Sequence, residues 1–215
     1  MQQPLRAVIF DFDGVILDSN ALKTDAFHAV FSRFPEHAEA MRRYHDAYVS
    51  QSRYEKFTYL VERLLGRPGD TALVHALADD FATLLRDRMD VCGFVPGARD
   101  MLEDLSPRGP LYLASMTPEA ELVRLLDIHA IHHHFRRVYG CPPWTKPQAV
   151  GAIVEELGGA DGVALVGDSA GDQRAAAVHG VEFIPRDSGL AFDTPVTGTP
   201  DVSAIASRLS TRLAS

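Results

Sequence analysis

Short apolar runs alternate with longer amphipathic segments along much of the chain. Four largely apolar runs stand out, at 7–10, 111–114, 163–166 and 181–184. Such runs, where they end in Asp, Ser or Gly, are typical of strands buried in a parallel sheet. Segments with helical spacing follow them, at 96–105, 118–126, 146–157, 172–178 and 201–213. The alternation predicts an α/β fold with a doubly wound, Rossmann-like parallel sheet and ligand chemistry at the carboxyl ends of its strands.

The stretch 18–90 interrupts this alternation. It holds four segments with apolar residues at helical spacing, separated by breaks near residues 35, 50–52 and 66–70. A crossover between parallel strands needs only about a dozen residues. Four helices therefore favour an inserted domain over the alternative that these helices simply pack on one face of the sheet. We therefore predict a Rossmann-like core of residues 1–17 and 91–215, with an inserted four-helix domain at 18–90.

Composition narrows the classes of function. The chain has 215 residues, is 46% hydrophobic and carries a net charge of −8, which suits a globular protein with a sizeable core. Its acidity argues against nucleic acid as a partner. Its sequence has neither a membrane span nor the apolar core of a signal peptide. Two distant cysteines, Cys92 and Cys141, fit neither a metal pair nor a disulfide framework, so we expect a cytoplasmic protein.

Two pairs of aspartates follow separate apolar runs. Asp11 and Asp13 come directly after the first run, where an extended backbone directs both carboxylates to the same side. Asp168 and Asp172 follow the third run. If the two strands lie in one parallel sheet, three or four carboxylates converge, and an oxygen-only site suits Mg²⁺. An Asp-x-Asp-Gly turn and a helix N-cap are the structural alternatives, although capping and metal binding are compatible in the second loop.

A hydroxyl and an ammonium follow further elements of the predicted sheet. The second run ends in Ser115, Met116 and Thr117, and Pro118 is placed to begin a helix, which is an arrangement that can bind an anion. The structural alternative is an N-cap by Ser115 or Thr117. Lys146, which precedes another helix-starting proline, is either a phosphate-binding ammonium or an ordinary surface lysine.

The ordered motifs DFDG, SMT, KP and GDSAGD resemble the four motifs of the haloacid dehalogenase superfamily. The resemblance spans residues 7 to about 190 and is greatest to the branch with a helical cap after the first motif, which includes phosphoglycolate phosphatase and β-phosphoglucomutase. It implies that Asp11 is the nucleophile and Asp13 the general acid and base. It also implies that Ser115 and Lys146 hold the transferring phosphoryl group. Met116 stands where many relatives have Asn, but its backbone N–H is still available to phosphate.

The resemblance further implies a Mg²⁺ site and a reaction. Asp11, the backbone carbonyl of Asp13, and Asp168 would bind the ion, with Asp172 either a ligand through water or a support for Lys146. We expect a Mg²⁺-dependent phosphatase that hydrolyses a small phosphorylated metabolite, a sugar or organic-acid monophosphate, through an aspartyl-phosphate intermediate. A monomer or small homo-oligomer is expected, acting on neither nucleic acid nor membrane.

Two alternatives remain open. One is a phosphosugar mutase of the β-phosphoglucomutase type, although those relatives carry a His where this chain has Lys23. The other is a protein that binds a phosphorylated ligand without catalysis. The presence of both Asp11 and Asp13 argues against this alternative. Within the same superfamily, Asp13 favours phosphate esters over dehalogenation, since dehalogenases or phosphonatases have Tyr or Ala there.

Substrate specificity is expected to come from the inserted domain at 18–90, the predicted cap domain. Only three of the 21 basic residues are lysines, at positions 23, 56 and 146. Asn20 and Lys23 follow the first motif, and Arg53 and Lys56 lie in the segment 50–57, where two cations would suit an anionic or polyhydroxylated substrate group. The alternative for that segment is a solvated helix N-terminus. The three consecutive histidines at 132–134 cannot all face one ion and are assigned no role.

Overall fold

The computed structural model describes residues 3–213, and the chain divides into two compact units. One unit comprises the chain up to Asp18 together with the chain from Gly93 onward, and the other comprises Ser19–Cys92. The first unit contains a five-stranded sheet in which every pairing is parallel. Its strands are β1 (Ala7–Phe10), β2 (Leu111–Ser115), β3 (Phe135–Gly140), β4 (Val163–Gly167) and β5 (Glu182–Pro185).

The strand order β3-β2-β1-β4-β5 makes β1 the centre of the sheet. The chain winds from β1 through β2 to β3 on one side and then crosses to β4 and β5 on the other. In register, Ile9 of β1 lies beside Tyr112 of β2 and Leu165 of β4, so the carboxyl ends of these three strands lie at the same edge. This edge contains the point where the winding reverses, which is where sheets of this kind bind ligands. The predicted doubly wound α/β fold is confirmed.

The burial of the strands explains which of them can be predicted from the sequence. Every residue of β1, β2 and β4 is buried, as expected for central strands covered on both faces. The edge strand β3 was not predicted because Arg136 and Arg137 interrupt its apolar pattern. Both are exposed and form ion pairs with Glu156 (3.0 and 3.2 Å), so this strand carries polar side chains without loss of buried apolar contacts.

Helices flank the sheet, and local sequence signals fix their ends. They are α5 (Ala98–Leu105), α6 (Glu119–Ile128), α7 (Lys146–Glu156), α8 (Ala170–His179) and α9 (Val202–Ser210). Thr145 caps α7 through a reciprocal capping box with Gln148, and Pro147 lies in the first turn. The buried faces of α7 and α8 share one apolar cluster with β1, β2 and β4. This packing holds the start of α7 and the start of α8 near the carboxyl edge of the sheet.

The second unit is helical. It contains α1 (Asn20–Phe31), α2 (Ala38–Ala47), α3 (Arg53–Thr58), a π-helical continuation of α3 (Tyr59–Leu64) and α4 (Thr71–Asp90). Its interior is aromatic, with Phe27 packed 4.2 Å from Phe81 and 5.7 Å from Phe57 between ring centroids. Among the helices of residues 3–213, none is both long and apolar enough to cross a membrane.

The two ends of the helical insertion leave the α/β unit side by side. The N–H of Asp18 donates to the carbonyl of Gly93, and the N–H of Val95 donates to the carbonyl of Ile16, both at 2.9 Å. Leu17 and Phe94 form an antiparallel bridge between these bonds. The α/β unit therefore fixes the spacing of the points at which the insertion begins and ends.

Candidate active site

Three buried carboxylates meet at the carboxyl edge of the sheet. Asp11 directly follows β1, Asp168 directly follows the neighbouring strand β4, and Asp172 lies in the first turn of α8. One oxygen from each lies within 4.8 Å of the others, and the residues are 7%, 2% and 0% exposed. Because like charges this close repel strongly in a buried site, the cluster needs positive charge to be stable.

The ammonium of Lys146 supplies part of that charge. Lys146 is the first residue of α7, and its Nζ lies 2.8 Å from Asp11 Oδ1 and 2.5 Å from Asp172 Oδ1. Burial alone would lower the pKa of this ammonium, but the two neighbouring carboxylates outweigh burial and raise the pKa above its ordinary value. Lys146 is therefore a permanent cation inside the cluster.

One ammonium does not neutralise three carboxylates. Burial, followed by the charge of Asp172, raises the pKa of Asp11 well above its ordinary value, and Lys146 only partly offsets this. The cluster thus offers oxygen donors in a site with excess negative charge. Hard divalent cations prefer such donors, so the residues present fit a bound metal ion.

Asp172 is held in place by its own helix end and supports Lys146. Its Oδ2 accepts hydrogen bonds from the backbone N–H (3.1 Å) and the hydroxyl (2.6 Å) of Ser169, while Oδ1 accepts from Lys146. A Cβ at Gly167 would lie 2.3 Å from the Cβ of Asp172, so only glycine fits at this end of β4. Between the two roles left open for Asp172, these contacts favour support of Lys146.

Asp13 follows Asp11 by two residues and contacts the segment that comes after β2. The Thr117 hydroxyl donates to Asp13 Oδ2 at 3.0 Å, and the N–H of Phe12 donates to Asp11 Oδ1 at 2.7 Å. The predicted phosphate residue Ser115 is the last residue of β2, and its Oγ accepts from the N–H of Thr117 at 3.0 Å. The neighbouring Met116 is half-buried.

Two contacts at this edge were not anticipated from the sequence. The sequence offers Thr117 as a helix cap, whereas the structure directs its hydroxyl to Asp13. Arg186, which follows β5, donates from Nη1 to the carbonyl of Gly14 (2.9 Å), and its backbone N–H donates to Gly167 (2.8 Å). No sequence signal indicates that it joins the two acidic loops.

The four predicted specificity residues all lie in the helical unit or at its start. Asn20 and Lys23 are half-buried residues of α1, and Arg53 begins α3. The Arg53 guanidinium lies 4.7 Å from the ring centroid of Phe81, inside the unit. Contact of these residues with a substrate stays a prediction.

Lys56 lies in the interior of the helical unit. It is 1% exposed, and its Nζ lies 2.9 Å from the Val49 carbonyl, 3.1 Å from His45 Nδ1 and 4.6 Å from the ring centroid of Phe27. His45 Nε2 in turn lies 3.2 Å from the Thr24 hydroxyl. Burial and then the charge of Lys23 lower the pKa of Lys56 to about 7, and burial and then Lys56 lower that of His45 to about 3.

Replacing Lys56 with methionine should remove a pH-dependent part of the stability. The pKa of Lys56 is 10.5 in its ordinary state and about 7 in the fold, so the unfolded chain binds more protons between these values. Wild-type stability should therefore fall as pH decreases from about 10 to about 7, by an amount on the order of 3 kcal/mol attributable to this residue. Urea unfolding of wild type and Lys56→Met at both pH values measures the difference.

The control for this comparison is Arg63→Met, which removes an exposed cation of the same helical unit and should keep the pH dependence of wild type. The Lys56→Met variant also leaves His45 Nδ1 without its donor, but that loss is the same at both pH values because His45 is neutral throughout. An equal pH dependence in wild type and Lys56→Met would contradict the prediction.

Comparisons with known proteins find matches to the sequence and to the fold. The family model for haloacid dehalogenase-like hydrolases matches residues 5–180. A comparison with curated proteins gives no match. Among solved structures, a predicted phosphoglycolate phosphatase from Haemophilus somnus superposes with a TM-score of 0.69 at 15% identity, covering 89% of this chain and 89% of that one.

Two further structures share the fold. A hydrolase from Bacillus subtilis, solved bound to magnesium, gives a TM-score of 0.69 at 16% identity and covers 97% of this chain and 99% of that one. A candidate β-phosphoglucomutase from Bacteroides vulgatus gives a TM-score of 0.73 at 16% identity, with 98% and 90% covered. At these identities the superpositions establish the fold, and the chemistry is argued from the site itself.

Proposed function

The chain belongs to the haloacid dehalogenase-like hydrolase family, and from that premise we propose that it is a Mg²⁺-dependent phosphatase of small phosphorylated metabolites. The observation that carries the proposal is the Lys146 ammonium bridging Asp11 and Asp172 beside Asp168. A phosphate monoester carries nearly two negative charges. Two like unit charges 4 Å apart repel by about 4 kcal/mol at an effective dielectric of about 20, so a carboxylate nucleophile needs cations beside it.

Asp11 is the proposed nucleophile. The Phe12 N–H and the Lys146 ammonium both contact Oδ1 of its carboxylate, which fixes the carboxylate and leaves Oδ2 for bond formation with phosphorus. Attack would give an aspartyl-phosphate and release the alcohol. Lys146 and the Ser115 hydroxyl would stabilise the charge on the transferring group.

Asp13 is the proposed general acid and base. In the first step its carboxylic acid gives a proton to the departing oxygen, and in the second step its carboxylate takes a proton from water. The water oxygen then bonds to phosphorus, inorganic phosphate leaves, and Asp11 is regenerated. The two steps together amount to hydrolysis of one monoester.

The metal proposal rests on the donor set. Asp11, Asp168 and the backbone carbonyl of Asp13 would hold Mg²⁺, which when bound supplies charge neutralisation for the substrate phosphate and the carboxylates. The magnesium found in the Bacillus subtilis relative supports this choice of ion. Small sugar or organic-acid monophosphates are the proposed substrates.

A screen for phosphate release tests the proposal. Purified protein is incubated with a panel of phosphorylated metabolites and with p-nitrophenyl phosphate. Phosphate release should depend on Mg²⁺, stop with EDTA and return when Mg²⁺ is added in excess. Absence of release from every monoester would contradict the phosphatase proposal, and activity unchanged by EDTA would contradict the metal.

A mutase is the second candidate, because a candidate β-phosphoglucomutase shares the fold over 98% of this chain. It would transfer the phosphoryl group to a sugar phosphate instead of water. The same reactions, followed for isomerised sugar phosphate, separate the two functions. Isomer formation without phosphate release would favour the mutase.

A further inference from the structure

The hydroxyl of Thr117 makes a long-range contact that its position in the chain does not require. Thr117 is fully buried, and its Oγ1 donates to Asp13 Oδ2 at 3.0 Å across a sequence separation of 104 residues. A threonine just before a helix usually serves as its cap. Here the capping position of α6 is Pro118, and no side chain caps that helix end. The hydroxyl is thus directed to the carboxylate of Asp13.

The backbone of Thr117 is fixed on both sides. Its N–H donates to Ser115 Oγ (3.0 Å), and its carbonyl accepts from the N–H of Cys141 (2.9 Å). Gly140 packs so closely that a Cβ there would lie 2.7 Å from the Thr117 carbonyl oxygen and 2.3 Å from Glu119 Cα. Strand β3, through its last residue, therefore holds the turn from which the Thr117 hydroxyl reaches Asp13.

We propose that Thr117 is a positioning residue that orients the Asp13 carboxyl group for proton transfer. This inference rests on the proposed phosphatase function. A donor on Oδ2 makes that oxygen the acceptor in both protonation states, so the proton that is transferred belongs on Oδ1. Asp13 is half-buried, and the Thr117 bond restrains the orientation of its carboxyl group. Proton transfer requires alignment within hydrogen-bond reach.

The orientation role predicts a dependence on the leaving group. An alkyl alkoxide needs a proton as it departs, whereas p-nitrophenolate does not. Loss of the Thr117 hydroxyl should therefore slow the release of an alkyl alcohol more than the release of p-nitrophenolate. A purely structural defect would slow both equally, because it would also disturb Asp11 and Lys146.

The test compares Thr117→Val, Thr117→Ser and Thr117→Ala. The substrates are p-nitrophenyl phosphate and the best alkyl monoester from the screen. With Thr117→Val and Thr117→Ala, the single-turnover release of the alcohol from the alkyl monoester should fall about 10–100-fold, and its steady-state KM should stay nearly unchanged. The single-turnover release of p-nitrophenolate should fall no more than about 3-fold. Thr117→Ser keeps the hydroxyl and should restore most of the rate.

A matched control is Thr83→Val in α4. The Thr83 hydroxyl is exposed and donates to the carbonyl one turn earlier in its own helix, at 2.9 Å, so this variant should leave both rates unchanged. Circular dichroism checks folding, and the smaller alanine variant provides the comparison if valine disturbs the turn.

The outcomes separate this inference from the proposed function. An active wild type with equal losses on both substrates, or a Thr117→Ser variant as slow as Thr117→Val, would overturn the positioning role alone. Full alkyl activity in Thr117→Val would do the same. A wild type inactive on every monoester would overturn both proposals.

Discussion

Replacement of Asp11 by asparagine should abolish phosphate release, with a loss of at least about 10³-fold in kcat/KM. The amide oxygen can still accept the Phe12 N–H at Oδ1, so the side chain should keep its place. It is a poor nucleophile, however, and cannot form the aspartyl-phosphate. Initial rates of phosphate release with saturating Mg²⁺ measure the effect, and circular dichroism verifies that the variant is folded.

The matched control is Asp18→Asn, since Asp18 is an exposed carboxylate of the same loop region. It should retain wild-type activity. If Asp11→Asn kept full activity while the wild type was a phosphatase, the nucleophile would have to be another group. The proposed mechanism would then be wrong even though the activity stood.

Removal of the Lys146 charge should have opposite effects on catalysis and on metal affinity. Lys146→Met leaves Asp11 and Asp172 without the ammonium that contacts both. Activity should fall about 10²–10³-fold, because a preorganised positive charge near the transferring group is lost. Mg²⁺ should bind more tightly than in wild type, since the cation then enters a more negative site. Calorimetric titration with Mg²⁺ and steady-state rates measure the two effects.

Stability provides a second measure of the same variant. Without metal, Lys146→Met should be less stable than wild type by about 3–5 kcal/mol, because buried carboxylates lose their partner. Added Mg²⁺ should recover part of that loss. Lys146→Arg keeps the charge but not the compact ammonium, and we expect activity between those of wild type and Lys146→Met. Weaker Mg²⁺ binding in Lys146→Met would show that Lys146 does not compete with the ion for negative charge.

The sequence predicts the central sheet well because its strands are buried on both faces. In β1, β2 and β4 apolar residues stand side by side without interruption, and each strand ends at a chemically distinctive residue. The edge strand β3 escapes prediction for the opposite reason. Arg136 and Arg137 of this strand face solvent, so the continuous run of apolar residues that identifies a central strand is absent.

Some contacts of the candidate site can likewise be predicted from the sequence, and others cannot. Asp11 and Asp168 can be brought together from sequence once both are placed at the ends of parallel strands. The contact of Thr117 with Asp13 cannot, because it depends on β1 and β2 being neighbours and on the rotamers of two side chains. Lys56 was expected to offer its charge to a substrate. The structure gives it partners within the helical unit, including the ring of Phe27, and charge alone does not reveal such burial.

The hydrogen bonds between segments 16–18 and 93–95 bear on whether the helical unit of this protein can be replaced by another segment. The backbones of Asp18 and Gly93 are within hydrogen-bond distance of each other. Any segment inserted between these residues therefore has to connect two points that the α/β unit already holds close together. The entropy of closing a loop rises only slowly with its length, so a short linker or a different domain could be grafted between the same two residues. The chain thus has a natural point of exchange, at which the helical unit can be replaced while the carboxylate cluster of the α/β unit stays intact.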